Sequence, residues 1–252
     1  MADRAKNTII RIGTSGIVVP GTKLTFPEEF KTGTRLHYYG SLFNTLEVNS
    51  SFYKIPLPST FAKWATEVPD DFTFTVKLWR GITHAKKLQF NIDDIDVFMH
   101  SANHLGIKKG CLLIQFPASI TFEYRAHVEK ILQQLHKLDQ RQQWKFAIEF
   151  RHVSWYQDIT YTMLDKYRAS LVFHDMPTSK ISLDQPIGQL IYSRFHGPLG
   201  DYKGSYTPEY IQAYAERIKS WSEKGKEVYV YFNNTIEGAL ENTQLLQKLI
   251  GK

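Results

Sequence analysis

The chain has 252 residues, 42% of them hydrophobic and 22% charged, with a formal net charge of +6 and a single cysteine. These values suit an ordinary globular chain with a sizeable core, and they exclude an intramolecular disulfide, a collagen-like repeat and a low-complexity polymer. No stretch approaches the ~20 apolar residues of a membrane-spanning helix. Residues 1–7 are polar and carry no apolar run, so they are expected as a short disordered tail rather than a secretory leader, and a cytoplasmic setting is expected. The basic balance permits nucleic acid as a partner. The lysines and arginines are scattered, however, and no nucleic-acid-binding motif is present, so a solvated basic surface is favoured. No oligomeric state is specified.

Eight short strand-forming runs follow one another: residues 8–13, 45–49, 72–77, 111–115, 145–149, 170–175, 190–196 and 227–233. Helical patterns separate most of them. The first is expected from Pro27 toward Phe43. The second starts at Pro58, with Phe61, Trp64, Ala65 and Val68 at helical spacing. Further helices are expected over 93–105, whose acidic first turn suits the dipole, and over 122–138 and 158–167. Thr207-Pro208-Glu209 opens another, with Thr207 as N-cap, and 237–250 closes the chain. Between Asp175 and Leu190 there is room for little more than a turn, and Pro177 and Pro186 interrupt it. Eight alternating units in one chain of this length predict a single (β/α)₈ TIM-type barrel over 1–252, irregular around its sixth unit.

Side-chain alternation then predicts what fills the barrel. In a strand, residues i and i+2 share a face. Thr45, Glu47 and Asn49 oppose Leu46 and Val48; Thr73, Thr75 and Lys77 oppose Phe72, Phe74 and Val76. Ala147, Glu149 and Arg151 oppose Phe146, Ile148 and Phe150, and Tyr192, Arg194 and His196 share a face. The apolar faces should meet the outer helices, which leaves a polar lumen at the C-terminal rim, where such barrels keep their active sites. Cys111, within CLLIQF, is expected as a buried, inert thiol. Two loops at that rim, 14–26 and the glycine-rich, aromatic GPLGDYKGSY (197–206), have the length of ligand covers.

The segments IRIGTSG, LEVNSSFYKIP, FTFTVKLWRGITH, LLIQFPAS, AIEFRHVSW, YSRFHG and VYFNN occur in an order that resembles the YecE-like family, the domain of unknown function 72. The resemblance spans nearly the whole chain. It implies a TIM barrel and no established reaction. It also implies that the recurrent polar residues fall on Glu47, Asn49, Lys77, His84, Gln115, Glu149, Arg151, His152, Asp175, Arg194, His196, Asn233 and Asn234. This chain departs from the family where it reads Ile17-Val18-Val19-Pro20 in place of an aromatic-rich stretch, so the first loop is expected to meet ligand differently or not at all.

Two readings of these residues stand together. In one, Glu47 and Glu149 are an acid/base pair with split pKa values, with Lys77 as electrophilic or Schiff-base group and His196 assisting. Asn49, His84, Gln115, Arg151, Asp175, Arg194, Asn233 and Asn234 would then bind a small polar anionic ligand. In the other, the charges Arg11, Lys77, Arg151, Arg194, Glu47, Glu149 and Asp175 form a salt-bridge network. No cofactor and no metal are expected. Glu47, Glu149, Asp175 and His196 are of ligand type, but no HxH, HExxH or cysteine cluster occurs and the arginines compete for the carboxylates. The leading expectation is an acid–base enzyme, in hydrolase or lyase style, acting on a phosphorylated or carboxylated metabolite. The alternatives are a metal-assisted phosphoesterase or nuclease and a non-catalytic metabolite-binding protein.

Overall fold

The computed structural model describes residues 9–182 and 188–251. The expected tail and Pro186 lie outside these. Eight parallel strands run β1 (Ile10–Thr14), β2 (Thr45–Val48), β3 (Thr73–Lys77), β4 (Lys109–Phe116), β5 (Lys145–Phe150), β6 (Ala169–His174), β7 (Leu190–Phe195) and β8 (Glu227–Phe232). They pair in the order β1-β8-β7-β6-β5-β4-β3-β2. This is the predicted α/β barrel. The helices are α1 (Arg35–Leu42), α2 (Ser50–Tyr53), α3 (Pro58–Thr66), α4 (Arg80–Thr83), α5 (Asp93–Ala102), α6 (Arg125–Leu138), α7 (Asp158–Lys166), α8 (Pro208–Glu223) and α9 (Ala239–Ile250).

The sheet closes between β1 and β2 through one bridge, Ser15 to Glu47, where the Gly16 N–H donates to the Glu47 carbonyl at 2.9 Å. Lower in this seam a tyrosine replaces the ladder. The Tyr39 hydroxyl accepts from the Thr14 N–H at 2.8 Å and donates to the Thr45 carbonyl at 3.0 Å. Gly13 makes the close approach feasible, since a Cβ there would lie 2.3 Å from the Thr45 carbonyl oxygen. The seam thus satisfies backbone groups that an open edge would leave unpaired.

Helix signals mostly hold. Thr207 caps α8 by accepting from the Tyr210 N–H. On α6, Val128, Ile131, Leu132 and Leu135 form one buried stripe at the spacing an amphipathic helix needs. The first helix is shorter than expected. Glu28–Phe30 forms only a 3₁₀ turn, and Thr34, in extended conformation, caps a fresh start at Arg35 by accepting from the His37 N–H. A serine or threonine that bonds forward in this way ends one run and begins another. Among the described residues between β6 and β7 the one helical element is a 3₁₀ turn, Pro177–Ser179, in line with the short, irregular sixth unit that the spacing predicts.

The outward faces of the strands join the helices in the main core. Inside the barrel, Cys111, Leu113, Ala147, Val172, Leu190, Tyr192, Tyr229 and Tyr231 form a separate cluster. The Tyr231 hydroxyl lies 2.6 Å from Thr45 Oγ1 and 2.8 Å from Thr75 Oγ1. The lumen is therefore apolar and phenolic through its middle levels, with the Lys145–Glu227 ion pair at 3.3 Å at its N-terminal end and a buried charge network at its C-terminal end. No helix of the described residues is long and apolar enough to cross a membrane.

Candidate functional site at the barrel mouth

Arg194, on β7, is 2% exposed and stands between two fully buried carboxylates. Its Nε and Nη2 donate to the two oxygens of Glu47 at 3.0 and 2.8 Å, and Nη1 donates to Glu149 Oε2 at 2.7 Å. The remaining oxygen of Glu149 accepts from Arg151 Nε. The Tyr192 hydroxyl, one pleat below Arg194, donates to Glu47 Oε2 at 2.5 Å. Burial alone would raise both carboxyls. Arg194 at Glu47, and Arg151 with Arg194 at Glu149, more than offset it, and both are held below the usual carboxylate range. Neither carries a proton to give at neutral pH, and both stand behind guanidinium groups, which is the paired-network reading of Glu47 and Glu149.

The network continues outward. Arg151 Nη2 lies 2.9 Å from His196 Nε2, and Arg194 Nη1 lies 3.3 Å from it. A guanidinium only donates, so Nε2 accepts and the imidazole proton sits on Nδ1, which donates to Asp175 Oδ1 at 3.1 Å. Burial first, then the arginines, push His196 down to about 4. It is a neutral strut whose lone pair is already engaged. Asp175 also accepts from the His196 N–H at 2.9 Å and from the Tyr206 hydroxyl. The Gly197 N–H in turn donates to the Tyr206 oxygen at 2.7 Å. Gly197 has φ +94°, and a Cβ there would strike the Lys203 carbonyl, so glycine is required where the 197–206 loop turns.

Above this network is a cavity of about 260 Å³ lined by Asn49, Phe52, Tyr53, Lys77, Gln115, Arg151, Arg194, Tyr202 and Asn233. Every charged side chain in that lining is a cation. Arg151 gives two of its donor groups to Glu149 and His196, and the rest of its five N–H groups have no partner among the described residues. Lys77 pairs with no carboxylate among them. Its Nζ sits 4.1 Å from the centroid of the Phe52 ring, and burial together with Arg194 pushes it down to about 8. The Asn49 Oδ1 is buried without a hydrogen-bond partner.

Several expected ligand groups do not reach this cavity. His84 lies behind Phe52, ring to ring at 4.8 Å, with Nδ1 on Thr83 Oγ1 at 2.8 Å. Burial pushes it down to about 4. Asn234 is fully buried and spends its amide on the Gly204 carbonyl at 2.8 Å and Asn242 Oδ1 at 3.1 Å, which staples the seventh loop to α9. Asp175 stands behind His196. Arg11 lies outside the network and meets Asp71 at 3.6 Å, because it sits near the opening of its strand rather than the end. No residue of the 14–26 loop lines the cavity, and Gly16 and Ile17 face a separate apolar hollow. Phe52, Tyr53 and Tyr202 line the cavity without a sequence pattern that marks them, and the chain's high aromatic content of 14% is the available signal. A larger cavity, about 480 Å³, opens at the opposite end beside Lys145, Ser170 and Glu227, where this architecture keeps stability rather than chemistry.

The family described as "Protein of unknown function DUF72" matches residues 11–252. The chain belongs to that family. It is 24% identical over 261 residues to the UPF0759 protein YunF of Bacillus subtilis (strain 168), covering 89% of each. It is 30% identical over 86 residues to the UPF0759 protein YecE of Escherichia coli (strain K12), 34% of this chain and 32% of YecE. Among solved structures, a DUF72 family protein from Enterococcus faecalis V583 superposes with a TM-score of 0.78 at 26% identity, over 98% of this chain and 99% of that one. The YecE-like resemblance is thus established for the chain, as is the barrel.

Proposed function

We propose that the mouth of the barrel binds a small polar anion, a phosphorylated or carboxylated metabolite, and acts on it by proton transfer. Arg151 anchors the anion with its spare fork, Asn49, Gln115 and Asn233 supply neutral hydrogen-bonding groups, and Lys77 is the proton-transferring group. The observation that carries this reading is the wholly cationic charge of the cavity lining. The acids Glu47 and Glu149 lie behind it, each tied to a guanidinium, and serve to orient the arginines. Preorganised forks of this kind suit phosphate and carboxylate.

The metal-assisted phosphoesterase or nuclease gains no support from the carboxylates, which face arginines. Among the described residues no group of three His, Cys, Asp or Glu converges as a metal-binding set. Calorimetry and thermal unfolding on chelator-treated protein test the proposal. Phosphate, sulfate or a small carboxylate should bind and raise the melting temperature, because a ligand that binds only the folded state stabilises it by RT ln(1 + [L]/Kd). Arg151→Gln should lose most of that rise. Anion binding that appears only after Mg²⁺, Mn²⁺ or Zn²⁺ is added would overturn the proposal in favour of the metal-dependent reading. A bound metabolite that is never converted would favour the non-catalytic holder.

A further inference from the structure

We propose that Lys77 is an amine nucleophile that forms an imine with a small anionic carbonyl compound, a 2-oxo acid or a phosphorylated aldehyde or ketone. This rests on the anion-site reading above and names the chemistry of its ligand. Three observations on geometry lead to it. Lys77 ends β3 and lines the cavity beside Arg151, so a carbonyl and an anionic group of one small molecule fit between the two. Its Nζ has no carboxylate partner among the described residues and rests over the Phe52 ring at 4.1 Å, an environment that holds an amine in place without fixing a proton on it. Arg151 and Arg194 are themselves pinned by Glu47, Glu149 and His196, so the buried carboxylates are already engaged by guanidinium groups and neither pairs with Lys77 to fix a proton on it. Desolvation and neighbouring cations are what activate a lysine for carbonyl attack.

Depression to about 8 leaves roughly a tenth of the side chain as free amine at pH 7, about 200-fold more than for an ordinary lysine. The step balances without a further reagent. The nitrogen lone pair attacks the carbonyl carbon and the C=O π pair moves to oxygen, giving a carbinolamine. The C–O bond then breaks, the two amine protons leave with the oxygen as water, and a C=N bond remains. Uptake of one proton from solvent on the imine nitrogen then gives an iminium, the electron sink that would make the adjacent C–H or C–C bond labile.

The probe is glyoxylate, the smallest anionic aldehyde, in the presence of sodium cyanoborohydride at pH 7, followed by peptide mass spectrometry. The expected result is one secondary-amine adduct, on Lys77, formed at least tenfold faster than on any other lysine and suppressed by added phosphate. Lys77→Arg keeps the charge and cannot form an imine. It should lose the adduct while retaining the phosphate-induced rise in melting temperature. Labelling spread evenly over other lysines, or none at Lys77, would overturn the imine proposal. If phosphate still stabilises the protein in that case, anion binding survives; if phosphate has no effect either, both readings fall.

Discussion

Arg194 offers the sharpest test of the network. In Arg194→Met the two carboxylates it holds are affected unequally. Glu149 keeps Arg151, whereas Glu47 loses its ion-pair partner and keeps only neutral hydrogen bonds. Removing one member of a buried pair costs about 3–5 kcal/mol. The charged hydrogen bond lost at Glu149 adds about 1.5–3 kcal/mol. A loss of about 4.5–8 kcal/mol is expected at pH 7, a large share of the ~5–15 kcal/mol that holds a typical domain folded. The variant should also respond to pH with the opposite sign. In the parent, Glu47 and Glu149 sit below their ordinary range, so their stabilisation is present above about pH 4.3 and is lost as pH falls. In the variant, Glu47 without a cation is raised above its unfolded value, so its penalty appears as pH rises and is relieved as pH falls. Urea unfolding at pH 7 and pH 5 should show the gap between parent and variant narrowing. If the single variant does not fold, Glu47→Gln/Arg194→Met carries the test, since it removes both charges and should recover at least a third of the loss. A cost under about 2 kcal/mol, or a double variant no more stable than the single one, would refute the reasoning.

Two further outcomes follow from the same geometry. His196 is kept neutral, its pKa pushed from 6.5 down to about 4. Its stabilisation is therefore present above pH 6.5 and is lost as pH falls toward 4, and a shift of this size corresponds to about 3 kcal/mol. Urea midpoints between pH 7.5 and 4.5 should fall steeply in the parent and less so in His196→Gln; identical slopes would remove His196 from the network. Lys77, pushed from 10.5 down to about 8, costs the fold stability that is present above pH 10.5 and lost as pH falls through 8. Lys77→Met should accordingly be more stable than the parent at pH 7, by about 2 kcal/mol once the lost ring contact is allowed for, or several degrees in melting temperature. The gain should shrink above pH 10, and a less stable variant would contradict the assignment of Lys77 as a strained functional group.

The fold and the inward set of site residues were legible because strand alternation is strict. Once 45–49 and 190–196 are strands, Glu47 and Arg194 must point the same way, and they do so at the end where their strands finish. What alternation cannot give is partnership. It brought Glu47, Lys77, Glu149 and Arg194 together but did not say that Arg194 holds both acids while Lys77 holds none. It also stops at the last strand residue. Asp175 and Asn234 lie just past strands and His84 at the end of α4, where the loop sets direction, and each turns toward a local partner and away from the cavity. Arg11 shares a strand face of the kind that carries the network, and its level along the strand, near Asp71, keeps it out of that network. The aromatic wall comes from α2 and from Tyr202, which depends on the fold of two loops. The Tyr39 wedge reveals itself only where β1 and β2 meet, since nothing in the helix containing it distinguishes that hydroxyl from any other.

A barrel of this size fills its lumen with side chains, and branched aliphatics are the usual filling. This one uses tyrosines and threonines below and ion pairs above, and the upper level is costly unless every charge is met. The carboxylates and arginines meet that condition among themselves, with Tyr192, His196 and Asp175 completing the bonds. A self-satisfied network does not need a ligand to hold its shape, so Arg151 presents its spare fork in one orientation before anything binds. Lys77 is the exception within the same few ångströms: partly buried, cationic at neutral pH and matched only by a ring face. A charge left unmatched inside an otherwise balanced arrangement is where the proposed substrate would complete the balance, either as an anion that pairs with the ammonium or as a carbonyl that takes the amine.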